Sequence, residues 1–245
     1  GFDEDSFVLN TSNKNALQQF LAYLSRSWKG PIHLNIGLNE PLYGLAAFKQ
    51  FSFEPQTNKV EPTILPDFSL LSGKKIMVLV GQMEPDHPFE RLLSEFASWS
   101  NVVVLVENTS NLQNELFNHC IDRSLNSIDP NDSALQPEVL LSFGGAIVSK
   151  RIKAYLRQIS LNIHWRIGFD FPEMNTFGTL SAQLSQDPVQ FMRALLQASL
   201  NLQTTNFKGK WKAIDYKAKD RLAQFTSSAQ HLHDFDVFQV LQRCV

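Results

Sequence analysis

The chain has little cysteine: Cys120 and Cys244 are its two, far apart and in no CxxC unit. That argues against a disulfide framework or a cysteine zinc site, and it fits a reducing cytosol. No apolar run approaches the ~20 residues that span a bilayer, and no signal-peptide pattern opens the chain. Neither sign of charge dominates, and a net −2 over 245 residues gives no sign of a general affinity for nucleic acid or membrane surfaces. A GxGxxG fingerprint, a G-x-S-x-G nucleophile setting, an internal repeat and a low-complexity tract are all missing. What remains is ordinary for a soluble globular protein, with 43% hydrophobic and 19% charged residues.

Helix and strand signals alternate along the chain. Asn15 to Trp28 carries Leu17, Phe20, Leu21 and Leu24 at helical spacing, and Ile32, Leu34 and Ile36 alternate with polar residues as in a half-covered strand. From Leu45 to Asp67 the periodicity fades and Pro55, Pro62 and Pro66 interrupt it, as in a linker. Lys75 to Val80 is a continuous apolar run expected of a strand covered on both faces, Val102 to Val106 is a second buried strand, Glu138 to Phe143 a third, and Leu161 to Ile167 a fourth. A short strand lies near Thr179 to Leu184. Helices are expected from Pro88, over Asn111 to His119, from Val148 to Ile159, and from Asp187-Pro188 to about Leu200. A long polar helix runs from Lys208 to His231 with Trp211, Ile214, Leu222 and Phe225 as its apolar members, and Asp234 caps a last helix, Phe235 to Val245. The expected fold is α/β, a doubly wound parallel sheet resembling dinucleotide-binding domains, with helical extensions at both ends.

Several groups could carry chemistry. Gly81-Gln82-Met83 and Phe143-Gly144-Gly145 follow core strands, where doubly wound sheets keep their ligand crevice. Without the full fingerprint, and with no acidic residue evident at a neighbouring strand end to take a ribose, they read as tight packing turns. Ser149-Lys150-Arg151 places two cations at a helix start, against the positive end of the dipole. An anion nearby, a partner surface or a solvated face would each account for them. His231 and His233 lack the companions of a metal shell, and His33 and His164 sit in strands as structural residues. Cys120 lacks a base. Asp129-Pro130-Asn131-Asp132 reads as a turn cluster, because the calcium-loop spacing is missing. None of these is a self-sufficient catalytic centre.

Taken together, these residues resemble a known family. Gly30-Pro31-Ile32-His33-Leu34-Asn35-Ile36 with Glu40-Pro41-Leu42-Tyr43-Gly44 resembles the junction after the pyrimidine-binding domain of thiamine-diphosphate enzymes. The Glu-Pro-Leu-Tyr ending is similar to that of the menaquinone-pathway synthases that make 2-succinyl-5-enolpyruvyl-6-hydroxy-3-cyclohexene-1-carboxylate. Val78-Leu79-Val80-Gly81-Gln82-Met83, and Glu138 to Gly144 through Ser149-Lys150-Arg151, resemble two stretches of the family's central domain in the same order. The turn Phe143-Gly144-Gly145-Ala146 departs from the more polar turn of the family.

The resemblance implies a piece of a larger cytosolic transferase, inactive by itself. Residues 1–44 would end a pyrimidine-binding domain, 45–73 would be a linker, 74–205 a central domain carrying no dinucleotide, and 206–245 a linker helix opening a diphosphate-binding domain. Thiamine diphosphate and magnesium (Mg2+) would be held outside this segment, by a glutamate upstream and a Gly-Asp…Asn-Asn element downstream. 2-oxoglutarate and isochorismate would be the substrates of the full-length enzyme, a homo-oligomer. In this family the arginine of the Lys-Arg pair meets the substrate carboxylates. Here that is Arg151, with Lys150 second beside it. The competing readings are a stand-alone nucleotide-binding or regulatory α/β module, contacting phosphate at Gly81 and Gly144, and an assembly domain.

Overall fold

The structure, a computed structural model, describes residues 6–9, 33–36, 65–169, 175–198, 200, 205–228, 236–238 and 241. The chain divides into two units, 1–63 and 64–245. In the first, β1 (Ser6–Leu9) and β2 (His33–Ile36) pair in parallel, with Ser6 opposite His33. β2 is the expected strand; β1 has no counterpart in the sequence reading. The helix expected over Asn15–Trp28 and most of the proposed linker fall outside the described residues.

The second unit is built on five parallel strands: β3 (Ile76–Val80), β4 (Val102–Val106), β5 (Val139–Phe143), β6 (Ile163–Ile167) and β7 (Ala182–Leu184). Their order is β4-β3-β5-β6-β7, all pairs parallel. β3, β4 and β5 are buried along their whole length, which is why β3 and β4 read as unbroken apolar runs and β5 as one interrupted only by Ser142. Ile76, Val78 and Val80 enter one core, where α1 (His87–Ala97) contributes Phe89, Leu93 and Phe96 and α4 (Pro188–Gln197) contributes Phe191, Met192 and Leu195. Met77 and Leu79 enter the other, against α2 (Ile121–Leu125), α3 (Lys150–Gln158) and α5 (Phe207–Ser228). The expected doubly wound sheet is therefore present, covered on both faces.

Helix starts follow their caps. Asp86 accepts the Phe89 N–H and Asp187 accepts the Gln190 N–H, each at 2.9 Å, with a proline in the first turn of each helix. α4 ends at Gln197, short of Leu200, because Ala198 turns extended (ψ 134°). α5 is the long polar helix. Trp211 is buried and Ile214 half-buried, whereas Phe225 is 57% exposed. Asp215 on α5 holds Arg123 and Lys219, each at 2.9 Å. Burial alone would raise its pKa, but those hydrogen bonds and charges lower it. The last expected helix shows helical residues at 236–238 and 241; the rest of it lies outside the described residues.

One expected helix is not there. Asn111 follows a short 3₁₀ turn (Asn108–Ser110) in the left-handed conformation, φ 56°, and its amide donates to the Met83 carbonyl at 2.7 Å. The Asn114 side chain accepts the Leu116 N–H at 3.0 Å. Asn118 then pairs with the free edge of β4, donating to the Val104 carbonyl at 2.8 Å and accepting the Val106 N–H at 3.0 Å. The Asn114 side chain offers the backbone a local partner that competes with helical bonds, while the remote Met83 carbonyl and the open edge of β4 engage Asn111 and Asn118. The helix of this connection is α2, which the sequence reading did not place.

Trp211 fastens α5 to the connection that leads into β5. Its Nε1 donates to the Leu135 carbonyl at 3.1 Å, and the Tyr155 hydroxyl donates to the same oxygen at 3.0 Å. Trp211→Ala should destabilise the chain by about 3–5 kcal/mol, and Trp211→Phe by about 1–2 kcal/mol, chiefly through the lost hydrogen bond. Urea unfolding midpoints check both, and equal losses in the two variants would contradict this account.

Candidate functional site

The strand order reverses between β3 and β5, the place where open α/β sheets form their crevice. Here the two turns meant to line that crevice close on each other. Gly81 N–H donates to the Phe143 carbonyl at 2.9 Å, Gln82 N–H to Ala146 at 3.2 Å, and Gly145 N–H to Gln82 at 2.6 Å. A Cβ at Gly81 would collide with the Gly145 carbonyl, and one at Gly144 would lie 2.9 Å from the Gln82 carbonyl. Gly144 also has φ +71°, which favours glycine. Arg166 of β6, opposite Ser142 in the register, donates to the Gly144 carbonyl at 2.9 Å. Both glycine turns are packing turns, and their amides answer carbonyls of the protein.

The start of α3 has its own anion. Ser149 is the N-cap: its hydroxyl accepts the Ile152 N–H at 3.1 Å and donates to Asp122. The amides of Val148 and Ser149 both donate to one oxygen of Glu107, at 3.0 and 2.8 Å. Glu107 is the first residue past β4. It stands at the end of a neighbouring strand, the acidic position that the sequence reading did not find. In a dinucleotide-binding domain such a residue would take a ribose; here it takes backbone N–H groups. Its charge lies at the positive end of the helix, which offsets the cost of Lys150 and Arg151 in the first turn. Those two side chains are exposed, and among the described residues no acid pairs with either.

Other singled-out residues fall as follows. His164 is buried (1% exposed), with Nε2 2.9 Å from the Ser142 hydroxyl and Nδ1 3.1 Å from that of Thr179. Burial, with the Arg166 charge assisting, pushes its pKa down to about 4, so the ring is neutral and structural. Asp129 and Asp132 make local turns, accepting the Asn131 and Ala134 N–H groups at 2.9 Å. Cys120 is an exposed free thiol. His33 lies in β2, and His231 and His233 are outside the described residues.

An open depression of 380 Å³ lies beside Asn108, Asn111, Leu112, Gln113 and His119, with no carboxylate on its wall. Among the described residues no three His, Cys, Asp or Glu side chains gather to hold a metal, and no helix is long and apolar enough to cross a membrane. The donor set does not fit a magnesium diphosphate: the amides at the strand reversal and at the α3 start are engaged by protein oxygens. Glu107, Asp122 and Arg166 are the residues that sequence reasoning missed. Glu107 alone left a signal, as an acid closing an apolar run.

Residues 51–244 match the family model described as the middle domain of thiamine pyrophosphate. A protein of Flavobacterium johnsoniae named 2-succinyl-5-enolpyruvyl-6-hydroxy-3-cyclohexene-1-carboxylate synthase is 32% identical over 86% of this chain and 39% of its own length. One of the same name from Porphyromonas gingivalis is 26% identical over 93% of this chain and 41% of its own. The chain thus spans about two fifths of the length of these relatives.

Two outcomes follow from this geometry. NAD or FAD added to the chain should leave its melting curve in place; a clear upward shift with either would show the amides at Gly81 and Gly145 to be available after all. His164 has a folded pKa below its unfolded value near 6.5, so the unfolded chain binds more protons between those values. Stability should therefore fall by a few kcal/mol as pH drops from about 6.5 to about 4, and then level off with respect to this group. Comparing unfolding free energies of wild type and His164→Gln across that range isolates its share, and an identical slope in both would refute it.

Proposed function

The chain belongs to the family of thiamine pyrophosphate enzyme middle domains, and we propose on that premise that it is the central segment of a menaquinone-pathway synthase. The complete enzyme would decarboxylate 2-oxoglutarate and add the resulting succinyl carbanion equivalent to isochorismate. The names of the curated relatives support this reading, as does the order of the sequence motifs. Thiamine diphosphate supplies the electron sink in such chemistry. Cofactor and magnesium would be held by parts of the enzyme other than the residues described above. On the same reading residues 1–44 end the pyrimidine-binding domain, 45–73 link, 74–205 are the central domain and 206–245 lead into the diphosphate-binding domain of a cytoplasmic homo-oligomer.

The observation that carries the assignment of a site is the exposed pair Lys150 and Arg151 in the first turn of α3. The turn's own dipole is already answered by Glu107, so the cations are not needed there for the fold and face outward without an acid among the described residues. A guanidinium fork in that place suits the carboxylates of 2-oxoglutarate or isochorismate. Lys150 adds positive potential beside it. The alternative of a stand-alone nucleotide-binding module is not favoured, since the turns it would need are closed on each other.

In the full-length enzyme, Arg151→Ala should lower kcat/KM for 2-oxoglutarate or isochorismate roughly 30- to 1000-fold, the equivalent of about 2–4 kcal/mol. The melting temperature should stay nearly unchanged, because a cation in a first helical turn contributes little to folding. Arg151→Lys should recover part of the loss, since a point charge lacks the fork. Wild-type kinetics in the alanine variant would remove Arg151 from the site.

A further inference from the structure

We propose that Glu107 is a positioning residue: its carboxylate fixes the chain entering α3 and so sets the place from which Arg151 reaches a substrate carboxylate. The inference rests on the role given to Arg151 above and extends it to a residue on a different strand.

Glu107 is anchored before it makes the contact. It directly follows β4, and its own N–H donates to the Val80 carbonyl at 3.0 Å, so its Cα is tied to the end of β3. From there the side chain crosses the Gly81 turn to the connection after β5. One oxygen receives two consecutive amides, Val148 at 3.0 Å and Ser149 at 2.8 Å, from residues 41 and 42 positions later in the chain. Carboxylate–amide bonds of this kind are charge-assisted and short.

The backbone of the connection Ala146–Ser149 has two further hydrogen-bonded holds. The Ala146 carbonyl accepts the Gln82 N–H at 3.2 Å, and the Ile147 carbonyl accepts from the Lys153 ammonium at 3.1 Å. The Val148 side chain packs on little, being 64% exposed. With Ile147 packed against the core and the Ser149 hydroxyl on Asp122, the two amides on Glu107 are the backbone tie that fixes Val148 and Ser149 just before the helix. Arg151 lies two residues past the Ser149 cap, so a shift of the helix start is carried directly to the root of its side chain. Side chains that orient substrates tolerate such shifts poorly, and a displacement of about 1 Å can cost on the order of 100-fold in rate.

The charge of Glu107 and its geometry can be separated. A glutamine keeps an oxygen able to accept both amides and lacks the charge, whereas an alanine removes both. Val148→Pro deletes one of the donors while leaving the carboxylate intact, at a position outside the helix where no intrahelical hydrogen bond is lost. It gives an independent reading should Glu107→Ala fold poorly.

The test is steady-state kinetics of the full-length synthase with 2-oxoglutarate and isochorismate, for Glu107→Ala, Glu107→Gln, Val148→Pro, Arg151→Ala and the Glu107→Ala/Arg151→Ala double variant. Glu107→Ala should lower kcat/KM roughly 10- to 100-fold, mostly through KM. Val148→Pro should move in the same direction, and Glu107→Gln should stay within about 3-fold of wild type. In the Arg151→Ala background the further loss from Glu107→Ala should shrink to less than about 3-fold, because the two residues act as one unit. Equal losses in both backgrounds, or a glutamine variant as impaired as the alanine one, would overturn the positioning role. An impaired Arg151→Ala beside unimpaired Glu107→Ala and Val148→Pro would overturn this inference alone. Unimpaired Arg151→Ala would overturn the reading of Arg151 and the inference with it.

Discussion

Two peptide turns in the middle of the sheet hold each other, and the rest of the carboxyl-end rim follows from that contact. Gly81 and Gly144 let backbone approach backbone closely enough for carbonyls to take amides across the reversal of strand order. A fold that elsewhere leaves this place open for a phosphate has it filled with its own chain. The amides of the next connection are then free to be used differently, and they bind Glu107. The carboxylate that takes those amides thus stands at the start of α3, beside the exposed Lys150 and Arg151.

The electrostatics of that turn would be puzzling in isolation. Two cations at a helix N-terminus meet a dipole of the same sign, a penalty of a few tenths to about 1 kcal/mol each when exposed. Glu107 on the Val148 and Ser149 amides, and Asp122 on the Ser149 hydroxyl, place negative charge where the helix needs it. The three possibilities open at the level of sequence are thereby ordered. An anion is indeed nearby, and it is the protein's own, which leaves the guanidinium and ammonium to face outward.

The sheet was legible because burial on both faces leaves a strong trace: β3, β4 and β5 are five-residue stretches rich in valine and leucine, with Ser142 their one polar residue. Asp86 and Asp187 marked helix starts because a side-chain cap is a local device. The stretch from Asn111 to His119 was misread because its partners are remote, the Met83 carbonyl and the edge of β4, and no window of sequence contains them. Lys150 and Arg151 were visible as an oddity of charge. Glu107, which explains the oddity, lies 42 residues before Ser149, so sequence position alone could not bring the two together.

The segment that replaced the expected helix has a consequence for how the molecule behaves in a crowd. β4, Val-Val-Val-Leu-Val, is an outermost strand of high β-propensity and no charge, the kind of sequence that recruits a second chain through its unpaired backbone. Asn118 occupies the Val104 carbonyl and the Val106 N–H, capping that edge with a single polar residue. At the opposite border the sheet ends in β7, three residues long and only half-buried, too short to template much. Each border is closed by a modest local means, and the most aggregation-prone ribbon in the sheet stays out of reach of its copies for as long as the Asn118 bridge is made.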